Sequence, residues 1–102
     1  MENARRVVAL VVQADAWNHS VDDTILALIT SSRHRRLGAT TPLVIDITTA
    51  EGKETGLRLN AVIQHENLLT YDQSLILRVL GYVSTATMEQ IHACLKATLG
   101  IP

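Results

Sequence analysis

Two apolar runs set the pattern of this chain. Val7-Val8-Ala9-Leu10-Val11-Val12 and Ile25-Leu26-Ala27-Leu28-Ile29 flank a polar stretch, Gln13 to Asp23. Each run is short, aliphatic and bounded by Asn, Asp or Ser, which predicts strands rather than helices. The pair reads as an antiparallel hairpin with a long polar connection. Neither run alternates apolar and polar positions, so both faces of these strands are expected to be covered. Arg5-Arg6 precedes the first run and Thr30-Ser31-Ser32 ends the second. Antiparallel pairing brings those two ends together, guanidinium groups facing hydroxyls across one edge.

The remaining pattern is read in chain order. Ser31 to Pro42 is polar, basic and closed by Gly38 and Pro42, as expected of a surface loop. Leu43 to Thr48 puts Leu43, Ile45 and Ile47 on one face, which predicts a half-exposed strand. Glu51 to Gly56 is a turn-rich connection, and Leu57 to Ile63 is extended. His65-Glu66-Asn67 then interrupts the apolar pattern, the signature of a bulge or a site. Asp72-Gln73-Ser74 turns the chain, and Leu75 to Val83 follows with a bend at Gly81 and one helical turn over Leu75-Ile76-Leu77. Ser84 is the N-cap of a helix over Thr85 to Leu99, whose apolar stripe is Met88, Ile91, Leu95 and Leu99. Gly100 stops it. The pattern is mainly β, of the α+β class: short antiparallel strands and a C-terminal amphipathic helix, residues 1–102 forming a single domain.

Composition narrows the class. A chain of 102 residues buries about 60–65% of its unfolded surface and needs no metal or disulfide to fold. With no Phe and one Trp, the core must be aliphatic. Cys94 stands alone, so no intramolecular disulfide forms, and a reducing cytoplasm is the expected setting. The first apolar run is too short for a signal peptide, and no segment reaches membrane-span length. The net charge of −1 argues against bulk adhesion to nucleic acid. Its distribution points elsewhere, since Arg5, Arg6, Arg33, Arg35 and Arg36 cluster while the acids lie mostly apart, and a local basic patch suits selective phosphate contacts.

Several groups carry candidate chemistry, and for each a plainer reading stays open. Arg5-Arg6 with Thr30 could stabilise charge on a phosphate and hydrogen-bond a developing oxyanion; equally, they form a solvated N-terminus and a strand-end threonine. Arg33, Arg35 and Arg36 grip phosphates or keep a loop soluble. Four histidines suit proton transfer as a residue type, but their spacing fits no metal motif, and His92 reads as helix surface. Asp22-Asp23 lacks a third ligand nearby and reads as a solvated loop, while Cys94 reads as a small packed residue.

The order of pieces resembles the MazF/PemK family of toxin endoribonucleases. The matching words are Leu10-Val11-Val12-Gln13-Ala14-Asp15-Ala16-Trp17-Asn18, Ile25 to Ser31, Gly56 to Ile63, Glu66 to Asp72, Leu80 to Ser84, Thr87-Met88 and Leu99-Gly100. They span nearly the whole chain in the family's order. The resemblance implies an SH3-like small antiparallel β-barrel with a C-terminal helix, a homodimer, and metal-independent, cofactor-free cleavage of single-stranded RNA to a 2′,3′-cyclic phosphate and a 5′-hydroxyl. It also implies inhibition by a cognate antitoxin, acidic and partly disordered.

The family's catalytic threonine matches Thr30, and its RNA-contacting Glu/Gln word matches Glu66 and Asn67. Ser31, Arg5, Arg33, Arg35 and Arg36 complete the expected RNA surface. Members usually begin with a Gly-acid-aromatic strand, which is expected to be missing here. Val7 occupies the catalytic arginine position, so Arg6 is expected to serve as the catalytic arginine, with Arg5 one pleat farther back in reserve. The alternative expectation is a non-catalytic relative that binds a protein target of the topoisomerase type, or antitoxin only.

Overall fold

The computed structural model describes residues 7–31 and 43–102. Strand β1, Val8–Val11, pairs antiparallel with β2, Asp23–Ser31, in the register Val8 with Ile29 through Val11 with Leu26. The hairpin read from the two apolar runs is therefore present. Its polar connection is more ordered than a loop, holding a short helix, α1, Asp15–Ser20. The turn-prone side chains of this stretch fasten it to the strands. Gln13 Nε2 donates to Asn18 Oδ1 and to the Asp23 carbonyl, Asn18 Nδ2 donates back to the Gln13 carbonyl, and Thr24 Oγ1 donates to Asn18 Oδ1 at 2.6 Å. Thr24 is buried, and this bond meets the need of a hydroxyl withdrawn from water.

Strand β3 is Leu43–Ile45, with Leu43 and Ile45 buried and Val44 exposed, as the alternation predicts. It is shorter than the apolar pattern because Asp46 turns the chain, its carboxylate accepting from the backbone N–H and the hydroxyl of Thr48. The connection after it is not merely turn-rich. Thr49 caps a short helix, α2, Ala50–Glu54, by accepting from the Gly52 N–H at 2.9 Å. Gly56 then takes φ +74°, and a Cβ there would lie 2.1 Å from the Leu80 carbonyl oxygen. Both the left-handed backbone and the close approach require glycine at that position.

Strand β4 runs from Ala61 to Asp72, starting later than the extended stretch expected from Leu57. Asn60 bends the chain there, accepting from the Ile47 N–H. β4 pairs with both β2 and β3, giving an open antiparallel sheet in the order β1-β2-β4-β3, a half-barrel. Asp72 accepts from the backbone N–H and hydroxyl of Ser74 and starts a single 3₁₀ turn, Gln73–Leu75. That turn lies two residues before the one expected over Leu75-Ile76-Leu77.

Helix α3, Thr85–Leu99, has the predicted Ser84 cap, whose hydroxyl accepts from the Thr87 N–H, and ends at Gly100 in the left-handed conformation. Ile91 is fully buried against Ala27, Leu43, Ile45 and Ile63, with Met88, Cys94 and Leu95 packed around them. Leu99 departs from the predicted stripe and is 60% exposed. It lies eight residues beyond Ile91, about 12 Å along the axis, past the end of that cluster. The opposite sheet face is also closed at its centre, where Leu26 and Val62 are buried. Among the described residues no helix is long and apolar enough to cross a membrane.

Candidate active site

The register of β2 and β4 contains one irregularity. Ala27 pairs with Leu68 and the next residue, Leu28, pairs with Gln64, so His65, Glu66 and Asn67 bulge out of the ladder. An odd number of extra residues reverses the alternation along β4. Ile63 faces the helix-covered core before the bulge, and Leu68 packs on the same core after it. The bulge expected from the polar interruption thus lets one strand keep its apolar face on both sides of a kink.

Thr30 lies near the end of β2 opposite Val62. Because Leu28 pairs with Gln64, Thr30 and Gln64 are diagonal neighbours on the same face, the face away from α3. Gln64 Nε2 donates to Thr30 Oγ1 at 3.2 Å, and Asn67 Nδ2 donates to Gln64 Oε1 at 3.0 Å. Thr30, Gln64 and Asn67 are all half-buried, while Glu66 is exposed on the bulge. A half-buried hydroxyl held by a side-chain amide near a strand end suits contact with an anionic oxygen of a ligand.

Of the residues picked out in the sequence, Thr30 and Asn67 are brought together and Glu66 stands beside them. Ser31, paired with Ala61, belongs by alternation to the other face of β2 and is separated from the Thr30 hydroxyl by the sheet. Continuing the β1 register by one step sets Val7 opposite Thr30, and Val7 is 66% exposed. Arg5, Arg6, Arg33, Arg35 and Arg36 lie outside the described residues. Gln64 is the member that the sequence reading passed over. Its signal was its place at the head of the polar run Gln64-His65-Glu66-Asn67, three residues before Asn67.

His65 makes a separate contact, its Nδ1 lying 2.7 Å from Thr98 Oγ1 at the end of α3, so it braces the bulge against the helix. His92 is exposed on α3 and Cys94 is half-buried, as read from the helical pattern. Among the described residues no three His, Cys, Asp or Glu side chains are grouped to hold a metal ion.

A half-barrel sheet with a C-terminal helix has known relatives. The family model described as PemK-like, MazF-like toxin of type II toxin-antitoxin system matches residues 2–99. The chain belongs to this toxin family. A structure titled as an endoribonuclease from Mycobacterial species is 29% identical, with a TM-score of 0.68, over 92% of this chain and 80% of that one. A Mycobacterial endoribonuclease in complex with its cognate antitoxin is 26% identical, with a TM-score of 0.69, over 92% and 81%. The Mycobacterium tuberculosis toxin MazF-mt6 shares the fold at a TM-score of 0.74 and 16% identity, over 92% and 86%. No curated protein matches the chain significantly. As a PemK-like, MazF-like toxin, the chain keeps the family's half-barrel and helix, and its Gln13 and Asn18 are accounted for by the clamp that fastens α1 to the start of β2.

Proposed function

We propose that this toxin is a metal-independent endoribonuclease that cleaves single-stranded mRNA to a 2′,3′-cyclic phosphate and a 5′-hydroxyl. The observation that carries the reading is the Thr30 hydroxyl, half-buried near the end of β2 and held by Gln64, in a chain similar to two Mycobacterial endoribonucleases. In this reaction the ribose 2′-oxygen bonds to the adjacent phosphorus, and the bond from phosphorus to the 5′-oxygen breaks. A proton leaves the 2′-hydroxyl and another reaches the 5′-oxygen. The nucleophile belongs to the substrate, so the protein's task is orientation and charge stabilisation.

Thr30 hydrogen-bonds a non-bridging oxygen, and Arg6, with Arg5 in reserve, stabilises the pentavalent phosphate and assists proton transfer. Glu66 and Asn67 contact RNA from the bulge, with Arg33, Arg35 and Arg36 proposed to add phosphate contacts, while Ser31, on the other face of β2, is left out of the Thr30 surface. Incubation of the purified protein with single-stranded RNA in EDTA tests the reading, with cyclic-phosphate ends expected by mass spectrometry. Intact RNA, or cleavage only on adding Mg²⁺, overturns it. A binding-only role is favoured by the β1 register, which continued one step beyond Val8 and Ile29 sets Val7, not an arginine, opposite Thr30. It predicts RNA or protein binding without product.

The partners proposed are a second copy of the chain and an acidic, partly disordered antitoxin. Ile76, Leu77, Val79, Leu80 and Tyr82 expose a run of large apolar side chains that suits the homodimer. The cytoplasm is the proposed site of action.

A further inference from the structure

We propose that Gln64 is a positioning residue, which fixes the direction of the Thr30 hydroxyl and so sets its strength as a donor to the scissile phosphate. This role rests on the endoribonuclease reading given above. The chain of hydrogen bonds has one direction along its length. Asn67 Nδ2 donates to Gln64 Oε1, and Gln64 Nε2 donates to Thr30 Oγ1. A lone pair of the hydroxyl oxygen is thereby occupied, and its proton is turned outward from the amide. Each donation polarises the next group in line, which makes the outward O–H a better donor than a freely rotating one. The bulge is what assembles the chain, since removing His65, Glu66 and Asn67 from the ladder lets Asn67 fold back over Gln64, three residues earlier on the same strand.

The role differs from a structural one, because the amide acts through its hydrogen atoms rather than its bulk. Gln64→Met keeps length and volume but removes both bonds. Gln64→Glu keeps the acceptor toward Asn67 but replaces the donor toward Thr30 with an oxygen, which captures the hydroxyl proton and turns it inward.

The test measures kcat and KM for an RNA oligonucleotide in EDTA across pH, with thermal melting of each variant as a check of folding. Q64M is expected to lower kcat about tenfold, the worth of one neutral hydrogen bond, with KM changed less than about threefold. Q64E is expected to fall further at neutral pH and to recover as the pH drops and the new carboxyl becomes protonated and can donate, a limb that the unsubstituted protein lacks. In a Thr30→Val background Q64M should cost nothing more, since Gln64 acts through that hydroxyl.

Q64M at full kcat, Q64E active at neutral pH without the acid limb, or multiplying losses in the double variant would each overturn the role while leaving the nuclease reading intact. Intact RNA with the unsubstituted protein would instead overturn that reading, and this role with it.

Discussion

At the residue scale, Thr30 in β2 and Asn18 in α1 show that a polar side chain next to the sheet can mean two things. Thr30 is half-buried at a strand end and bonded through one amide, so its loss should spare the fold. Thr30→Ala is expected to lower cleavage of RNA by about 10²–10³ in kcat, the cost of deleting one oxyanion donor, with an unchanged thermal midpoint. An unchanged turnover would remove Thr30 from the chemistry. Asn18 has the opposite profile, since it ties Gln13 to α1 and satisfies the buried Thr24 hydroxyl of β2. Asn18→Ala strands that hydroxyl away from water, and a loss of roughly 1–3 kcal/mol in urea unfolding is expected. A midpoint equal to that of the unsubstituted protein would show the clamp to be dispensable. From the sequence both residues were equally visible as polar letters beside apolar runs. Only Thr30 could be given a role, by likeness to a family, because the partners of Asn18 are assembled by the return of β2.

At the element scale, the turns that interrupt the sheet are set by aspartates. Hydrogen bonds from Thr48 to Asp46 and from Ser74 to Asp72 hold both carboxyls below the ordinary carboxylate range. The native state therefore binds these protons less readily than the unfolded chain does. Their contribution to stability is fully present above the unfolded value, near 3.9 for Asp, and is lost as the pH falls from there through the lowered native values. Unfolding midpoints should drop over that acid window, and Asp46→Asn with Asp72→Asn should drop less steeply. A double variant with the same slope would assign the acid loss to other carboxyls. The same elements show what could be read in advance. The hairpin, the capped helix α3 and the bulge at His65-Glu66-Asn67 followed from period, capping and a polar interruption, all of them local signals. Helix α2 and the end of β3 did not, because Asp46 and Thr49 act through side-chain bonds to backbone a few residues on, and composition reads such bonds only as a turn. The site was half legible for a similar reason: Asn67 and Thr30 are 37 positions apart in sequence, and the residue that joins them, Gln64, is defined by a register that only the folded sheet supplies.

At the scale of the whole molecule, apolar surface and charge are both unevenly placed. The segment holding Leu75, Ile76, Leu77, Val79, Leu80 and Tyr82 crosses the surface with these side chains exposed, more than a small helix-covered sheet needs to leave open. Light scattering is expected to give the mass of a dimer at micromolar concentration, and Leu77→Lys with Val79→Lys to give a monomer; a monomer mass for the unsubstituted protein would refute the pairing. Charge supplies the other asymmetry. The formal net charge is only −1, yet three of the seven arginines fall in the four positions from Arg33 to Arg36, directly after β2. A phosphate at the Thr30 hydroxyl would have neighbours along the RNA within reach of a basic stretch that starts three residues later in the chain. Each guanidinium that neutralises a phosphate releases condensed counterions, so the slope of log affinity against log salt reports how many arginines engage the backbone. Replacing Arg33, Arg35 and Arg36 together by Ala should flatten that slope by about 2 units for a single-stranded RNA of fixed length. The antitoxin proposed above, if its acidic segment covers the same groove, should lose salt dependence on the same variant and should compete with RNA on the unsubstituted protein. Arginines that serve only to stay hydrated predict the same two slopes before and after substitution, and that result would remove them from the binding surface.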